Sequence, residues 1–445
     1  MHKLCFTILA TAALLLPWNR ANARKDSLKN QINLKLEVMA HGEICAGGLP
    51  RAAKSQEDHS SFLFGRTRIT AEYLRKGLQV HATLQNLAVW GMKGSQALNL
   101  YEGWAKISSR QGLFAQVGRV VLSYDDERII GANDMATAAL SHDVVRLGYE
   151  GHGHKCHAIL AYNQNSENVY SGTFYSGGAQ AYKTMQTFWY HYDFSKIPLG
   201  ASLLFMNMGL QAGSTDPTFN IDPKVVFQQM MGTYINLHPK NFTLEASAYL
   251  QRGQTVVGDI KPYPIQAWMA SVKANYTPTE KWGFVLGYDH LSGDDFVPVD
   301  YGGNPLGLPD HKIFKGFTPL YGSRTQFYGI MDYFYESAYS SGFTPGLQNA
   351  FVGVTSSPVK PLSCGLTYHY LAVATHLDKL SPTLGHSLEL NVSYTFTKDI
   401  SLSIGYTFMS GTETMACLKR EGASKQAHWC WFTLLITPNL FTARW

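Results

Sequence analysis

Arg66 and Arg68 stand two positions apart in the run Phe64-Gly65-Arg66-Thr67-Arg68-Ile69. Alternate residues of a strand share a face and lie roughly 6 to 7 Å apart. Two guanidinium groups would therefore stack on one side of a wall. Each is a planar fork that donates two parallel hydrogen bonds to a carboxylate and cannot lose its charge. Two fixed cations beside a low-dielectric surface concentrate anions near them. The bland alternative is a brace, in which Arg66, Arg68 and Arg119 pair with Glu72, Glu102 or Asp143. A mixed ladder of both signs would do both jobs, stiffening the wall and passing an anion from site to site.

The stretch that carries these arginines alternates with period two. Leu63, Gly65, Thr67, Ile69, Ala71 and Tyr73 fall on one face; Phe64, Arg66, Arg68, Thr70 and Glu72 fall on the other. The next segment repeats the pattern, with Leu78, Val80, Ala82, Leu84 and Ala88 opposite Gln79, His81, Thr83 and Gln85. A strand with different solvents on its two sides looks like this. From Gln31 onward the chain breaks into such segments of about 9 to 14 residues, enough to cross a bilayer as tilted strands. Short joints are expected at Lys76-Gly77, Ser109 to Gly112, Gly151 to Gly153, Phe194 to Lys196, Pro239 to Asn241, Pro278 to Lys281, Pro358 to Lys360 and Lys398-Asp399. Longer connections separate them, including Asp125 to Leu140, Asn163 to Ala181 and Ser410 to Ala427. Tight turns on one rim and long loops on the other define an up-and-down membrane barrel, all-β and antiparallel, of about 18 strands. Both termini then belong to the short-turn rim. His428 to Thr437 is expected to be the last strand, followed by a short tail. Trp90, Tyr124, Trp282 and Trp429 near strand ends suit an interfacial girdle. The connection Leu291 to Thr344 is long enough to enter the lumen as a constriction.

Composition points the same way. Charged residues make up only 16% of the 445 and aromatics 13%, whereas soluble domains carry about 25% charge. Residues 1–23 read as a secretory signal: Lys3, an apolar run from Phe6 to Leu16, and small residues at Ala21-Asn22-Ala23. The rest, 24–445, reads as one barrel domain. No later stretch approaches the roughly 18 apolar residues of a membrane helix. A net charge of +5 is too small to imply nucleic-acid binding. Cys45, Cys156, Cys364, Cys417 and Cys430 show no metal-site spacing, and a Cys417–Cys430 pair is the one disulfide to consider. His152, His154 and His157 lie near metal spacing in a Gly-rich turn, and Asp294-Asp295 is an acidic pair in the long loop. A solvated turn is the simpler reading of each. Met206, Met208, Met230 and Met231 most simply pack the wall. No nucleophile elbow, phosphate loop or zinc-protease motif occurs, so no catalytic residue or cofactor is assigned.

Three runs carry a family resemblance: LYEGWAKI (100–107), GRVVLSYDDERIIG (118–131) and SHDVVRLGY (141–149). They resemble the signature of the alginate-export family of bacterial outer-membrane barrels. FGRTRI (64–69), SGDDF (292–296), FTPLYG (317–322) and FYGIMDYF (327–334) follow its order. The resemblance implies an 18-stranded barrel with a positively charged pore for a polyuronate. It places Glu102, Arg119, Asp126, Arg128, Asp143, Arg146 and Asp332 beside Arg66, Arg68 and Glu72 along the substrate path. Residues 133–140 (NDMATAAL) depart from the family, which brings a tryptophan and an arginine there.

The function expected is passive passage of small anions or an anionic polysaccharide through the outer membrane of a Gram-negative bacterium. Outer-membrane lipid would surround the barrel, and a polymer channel would need periplasmic export machinery to feed it. A general porin for small solutes fits the same scaffold. A barrel acting as an adhesin through its surface loops, and a barrel-borne hydrolase, are the other classes considered.

Overall fold

The computed structural model describes residues 30–47, 59–134, 139–164, 174–175, 178, 180–216, 218, 221–257, 261–294, 313–323, 326–331, 345–377, 380–419 and 426–445. The expected signal, residues 1–23, lies outside them. Period-two alternation drives the architecture. In β2 (His59–Arg75), Arg68 is 6% exposed while Ile69 beside it is 48% exposed. β3 (Leu78–Val89) repeats this, with Thr83 and Gln85 buried and Val80 and Leu84 exposed. Polar groups turn inward and aliphatic groups outward, the reverse of a soluble core. An exterior of Val117, Leu203, Leu286, Val352 and Ile404 belongs in hydrocarbon.

The remaining strands continue as antiparallel neighbours: β1 (Gln31–Gly47), β4 (Ala97–Ser108), β5 (Leu113–Val120), β6 (His142–Gly151), β7 (His154–Tyr162), β8 (Tyr182–Asp193), β9 (Leu199–Ala212) and β10 (Lys224–Leu237). After them come β11 (Phe242–Val257), β12 (Lys261–Pro264), β13 (Ala267–Thr279), β14 (Trp282–Leu291), β15 (Leu347–Val359), β16 (Leu362–Ala372), β17 (Thr383–Thr397), β18 (Ile400–Gly411), β19 (Gln426–Ile436) and β20 (Asn439–Arg444). β12 is a four-residue flap that pairs only with the end of β11. β19 and β20 are one crossing interrupted at Thr437-Pro438, and both pair with β1. The wall is therefore a closed barrel of 18 antiparallel strands. Closure leaves no unpaired edge in lipid, where unsatisfied backbone groups are costly.

All eight expected short joints fall between consecutive strands. The two ends meet on the short-turn rim, where the Asn30 and Trp445 backbones exchange hydrogen bonds at 2.8 and 3.0 Å. The C-terminal segment differs from expectation: it is no tail, because Asn439–Arg444 extends the closing strand. A short helix, α1 (Glu413–Lys419), lies in the connection after β18 and was not foreseen.

Two connections turn into the lumen. Residues 121–134, after β5, and 313–323 with 326–331, after β14, meet through a bridge between Ile130 and Tyr321. Leu122, Ile129 and Ile130 join Met206, Met208, Met230 and Met269 from the wall, with Phe317 and Tyr328 from the second loop, in one dry cluster. Part of the barrel's interior is thus a packed core. Two girdle expectations are corrected by this inward packing. Tyr124 is buried with its hydroxyl 3.0 Å from His157 Nδ1, and Trp429 donates its indole N–H to Glu43 at 3.1 Å. Trp90 and Trp282 do stand on the outside. Met206, Met208 and Met230 are wholly buried, whereas Met231 faces out.

Candidate functional site

Arg66 and Arg68 project from β2 into the lumen, as their parity requires. Arg66 donates from Nε to Glu37 of β1 at 2.8 Å and from Nη1 to the Asp134 carbonyl at 2.6 Å. Arg68 donates from Nε to Gln85 at 2.7 Å and from Nη1 to Asp134 Oδ1 at 2.7 Å. Its guanidinium lies 4.0 Å from the centre of the Tyr101 ring. Tyr101 faces inward beside Glu102 because a bulge opposite Thr83 and Leu84 breaks the alternation of β4. Each of the two arginines therefore has a carboxylate partner.

Arg128 is a different kind of group. It sits on the first infolded loop and is 4% exposed. Its Nε donates to Asp126 at 3.2 Å and its Nη2 to Ser271 of β13 at 3.0 Å. Nη1 lies 3.1 Å from both the Tyr328 hydroxyl and Asp289 of β14, and Phe327 covers the guanidinium face at 4.2 Å. Burial opposes its charge, but Asp289, then Tyr328 and Asp126, raise its pKa well above the ordinary arginine value. Asp289 also accepts from Ser271 at 2.6 Å and from Asn349 at 2.9 Å. Next along the wall, Asn349 bonds His369 at 2.9 Å. Glu389, 3.6 Å from His369, accepts the Ile330 amide at 2.8 Å. A polar rail across β13 to β17 thus anchors both loops.

Arg146 (β6) and Lys106 (β4) pack against the same Phe114 ring, 5.5 and 4.0 Å from its centre. Neither has a carboxylate within 4 Å among the described residues, though Arg146 Nη1 donates to Tyr124 at 3.2 Å. Beyond Arg146 a recess of about 350 Å³ opens, bounded by Tyr124, Asp125, Lys155, His191, Asp193 and Tyr234. Lys155 and Asp193 pair across its mouth at 3.3 Å. Trp189 donates to Asp125 at 3.0 Å, and burial raises the Asp125 pKa above the usual carboxylate value.

A closed wall of 18 strands, greasy outside, with a lumen partly polar and partly filled by two loops folded into its bore, decides the comparison with solved structures. The fold is that of a porin barrel. Pseudomonas aeruginosa OccK11 (OpdR) is 14% identical with a TM-score of 0.58, over 93% of this chain and 96% of that one. Acinetobacter baumannii OccAB1 is 13% identical with a TM-score of 0.59, over 92% and 97%. A BenF-like porin from Pseudomonas fluorescens Pf-5 is 12% identical with a TM-score of 0.57, over 92% and 99%. At these identities the likeness concerns the fold. No family model matches the sequence, and no curated protein does either.

Set on the porin barrel, the expected path residues separate into three groups. Arg66, Arg68, Glu72, Glu102 and Arg146 line the lumen. Glu72 lies 3.2 Å from Lys35, and both Glu72 and Glu102 reach His81, at 3.6 and 3.3 Å. Asp126 and Arg128 lie inside a packed loop rather than on a free surface. Arg119 and Asp143 are corrected outright: they face away from the lumen. Their side chains are 36% and 54% exposed and form a bidentate pair at 2.9 and 2.7 Å. Gln116 and Val120, at the opposite parity of β5, are 2% and 3% exposed. Asp332 lies outside the described residues.

Other candidates resolve as local structure. His154 turns outward onto Tyr190 and Tyr192 while His157 turns inward, so the two cannot share an ion. Asp294 accepts the Lys315 and Gly316 amides at 2.6 and 3.1 Å; Asp295 is not described. Cys430 carries a free thiol on the outer face, as does Cys364; the Cys417 side chain, the other half of the disulfide considered, lies outside the described ones. Sequence reasoning missed Glu37, Asp134 and Asp289. Glu37 was within reach, since Lys35, Glu37 and Met39 share the inward parity of β1.

Proposed function

We propose that the protein is a passive outer-membrane channel for small solutes, with a preference for anions set by cations on one side of the lumen. The carrying observation is the barrel itself: polar side chains along the part of the lumen that the dry cluster leaves free, hydrocarbon-compatible side chains without, and no open edge among the described strands. The anion preference rests on Arg146 and Lys106. They share one aromatic ring and have no carboxylate within ion-pair distance among the described residues, Glu150 acting on Lys106 only from farther off. A cation flanked by a low-dielectric ring attracts anions more strongly than one in bulk water.

Small solutes suit the lumen better than a polyanionic chain. Arg66, Arg68 and Arg128 are each held by carboxylates, so no continuous run of free arginines along the described lumen favours a polyuronate over a small anion. Among the described residues no contact favours the adhesin reading. The test is a planar bilayer with a salt gradient across it. Open current is expected, with a reversal potential on the anion side that falls in R146Q/K106Q. A cation-side potential in the native protein would reject the anion preference, and an absence of current would reject the channel.

A further inference from the structure

The Arg66–Arg68 pair is arranged as a receptor for one carboxylate, and a carboxylate of the protein's own sits in it. Both guanidinium groups are buried, at 2% and 6% exposure. Their forks converge on Asp134, whose Oδ1 is 2.7 Å from Arg68 Nη1 and whose Oδ2 is 3.4 Å from Arg66 Nη2. The Asp134 side chain is 49% exposed. The arginines thus form the floor of the site, and the occupant faces the water of the bore. Gln85 and the Tyr101 ring fix the plane of Arg68, and Glu37 fixes Arg66 from behind at 2.8 Å. One donor is left over: Arg68 Nη2 is buried and has no acceptor among the described residues. A buried charged donor without a partner is costly, and a carboxylate seated more squarely than Asp134 would satisfy it.

Glu37 lies within a strand, in register with Arg68, so its backbone is held against β2. Asp134 lies on a loop. Its backbone carbonyl holds Arg66 Nη1 at 2.6 Å independently of its carboxylate, so the side chain can swing away while the loop stays docked. Loss of the Asp134 carboxylate leaves two cations against the single charge of Glu37. We infer that Arg66 and Arg68 form a carboxylate-binding site in the lumen that Asp134 occupies as a built-in competitor. An anionic solute binds by displacing the Asp134 side chain. The exchange swaps one charge-assisted pair for another, so it needs little net energy. The tethered carboxylate acts as a millimolar-range competitor, which keeps the solute weakly held and free to move on. This deepens the anion-channel reading and rests on it for the route by which solute arrives.

The experiment uses the full chain in detergent and in planar bilayers, with acetate as the probe. In D134N, saturation-transfer NMR should show acetate bound roughly tenfold more tightly, and the reversal potential should move further toward anions. Both changes should vanish when D134N is combined with R66Q/R68Q. Native behaviour in D134N, or an equal change without the two arginines, overturns the inference. If the triple variant does not fold, D134N/R68K serves instead. It retains the charge but lacks the fork, and undiminished acetate affinity there overturns the inference too. If the native protein passes no current, the channel reading falls, while the acetate measurement still decides the site.

Discussion

Arg128 Nη1 stands 3.1 Å from Asp289 Oδ1, a contact between a loop that leaves the wall at β5 and a strand on the far side of the lumen. Tyr328 of the second loop meets the same nitrogen. One ion pair therefore ties two loops and the opposite wall together. Removing one member of a buried pair costs about 3–5 kcal/mol, because the other charge is stranded. D289N should loosen both loops at once. In bilayers the variant is expected to show larger conductance and more frequent switching, with the barrel still migrating as folded in unheated gels. Conductance and noise equal to the native protein would show that the pair does not hold the loops.

Arg119 and Asp143 give the opposite expectation. They lie on the outer face, so R119Q should leave the reversal potential of the channel unchanged. A shift comparable with that of R146Q would return the pair to the conduction path.

Leu286 is 64% exposed on β14, midway between Trp282 at one rim and Leu291 at the other. If that face lies in hydrocarbon, L286R should cost about 2–4 kcal/mol in refolding into lipid vesicles. S403R, on the lumen side of β18, should cost far less. Equal costs for the two would contradict the assignment of faces.

Asp125 supplies a pH dependence. Burial raises its pKa in the folded loop above the ordinary carboxylate value. The folded state therefore holds its proton more tightly than the unfolded state does. Loop docking is strongest at acid pH and weakens as pH rises from the ordinary carboxylate value through the raised one. D125N keeps an acceptor for Trp189 without the charge. Its loop amides, such as Tyr124 N–H bonded to Ile130, should exchange more slowly than native at pH 7. The difference should close below about pH 4, and a difference that persists there would exclude ionisation of Asp125 as its cause.

Much of the wall was legible because alternation and turns are local signals. Phe64, Arg66 and Arg68 share parity, and Lys76-Gly77 must turn. Arg119 shows how a local signal can be overridden. It shares parity with Leu113, Ala115 and Val117, all on the oily face, yet the family resemblance set it in the pore. Asp143 likewise keeps company with Val145 and Leu147. The contacts of Arg128 were not legible in the same sense. Asp289 and Ser271 are more than a hundred residues away, and the loop that carries Arg128 has no periodicity to orient it. Asp134 was visible only as a departure from a pattern, and its role emerges from two distances that no spacing encodes.

The closing crossing has a consequence for biogenesis. β1 acquires its second neighbour only from β19 and β20, the last strands in chain order. Until they arrive, the first strand carries a bare row of amides and carbonyls along one side. A nascent chain in transit must therefore be escorted with that row shielded, and shortening the chain by its final twenty residues would leave a curled sheet rather than a smaller tube.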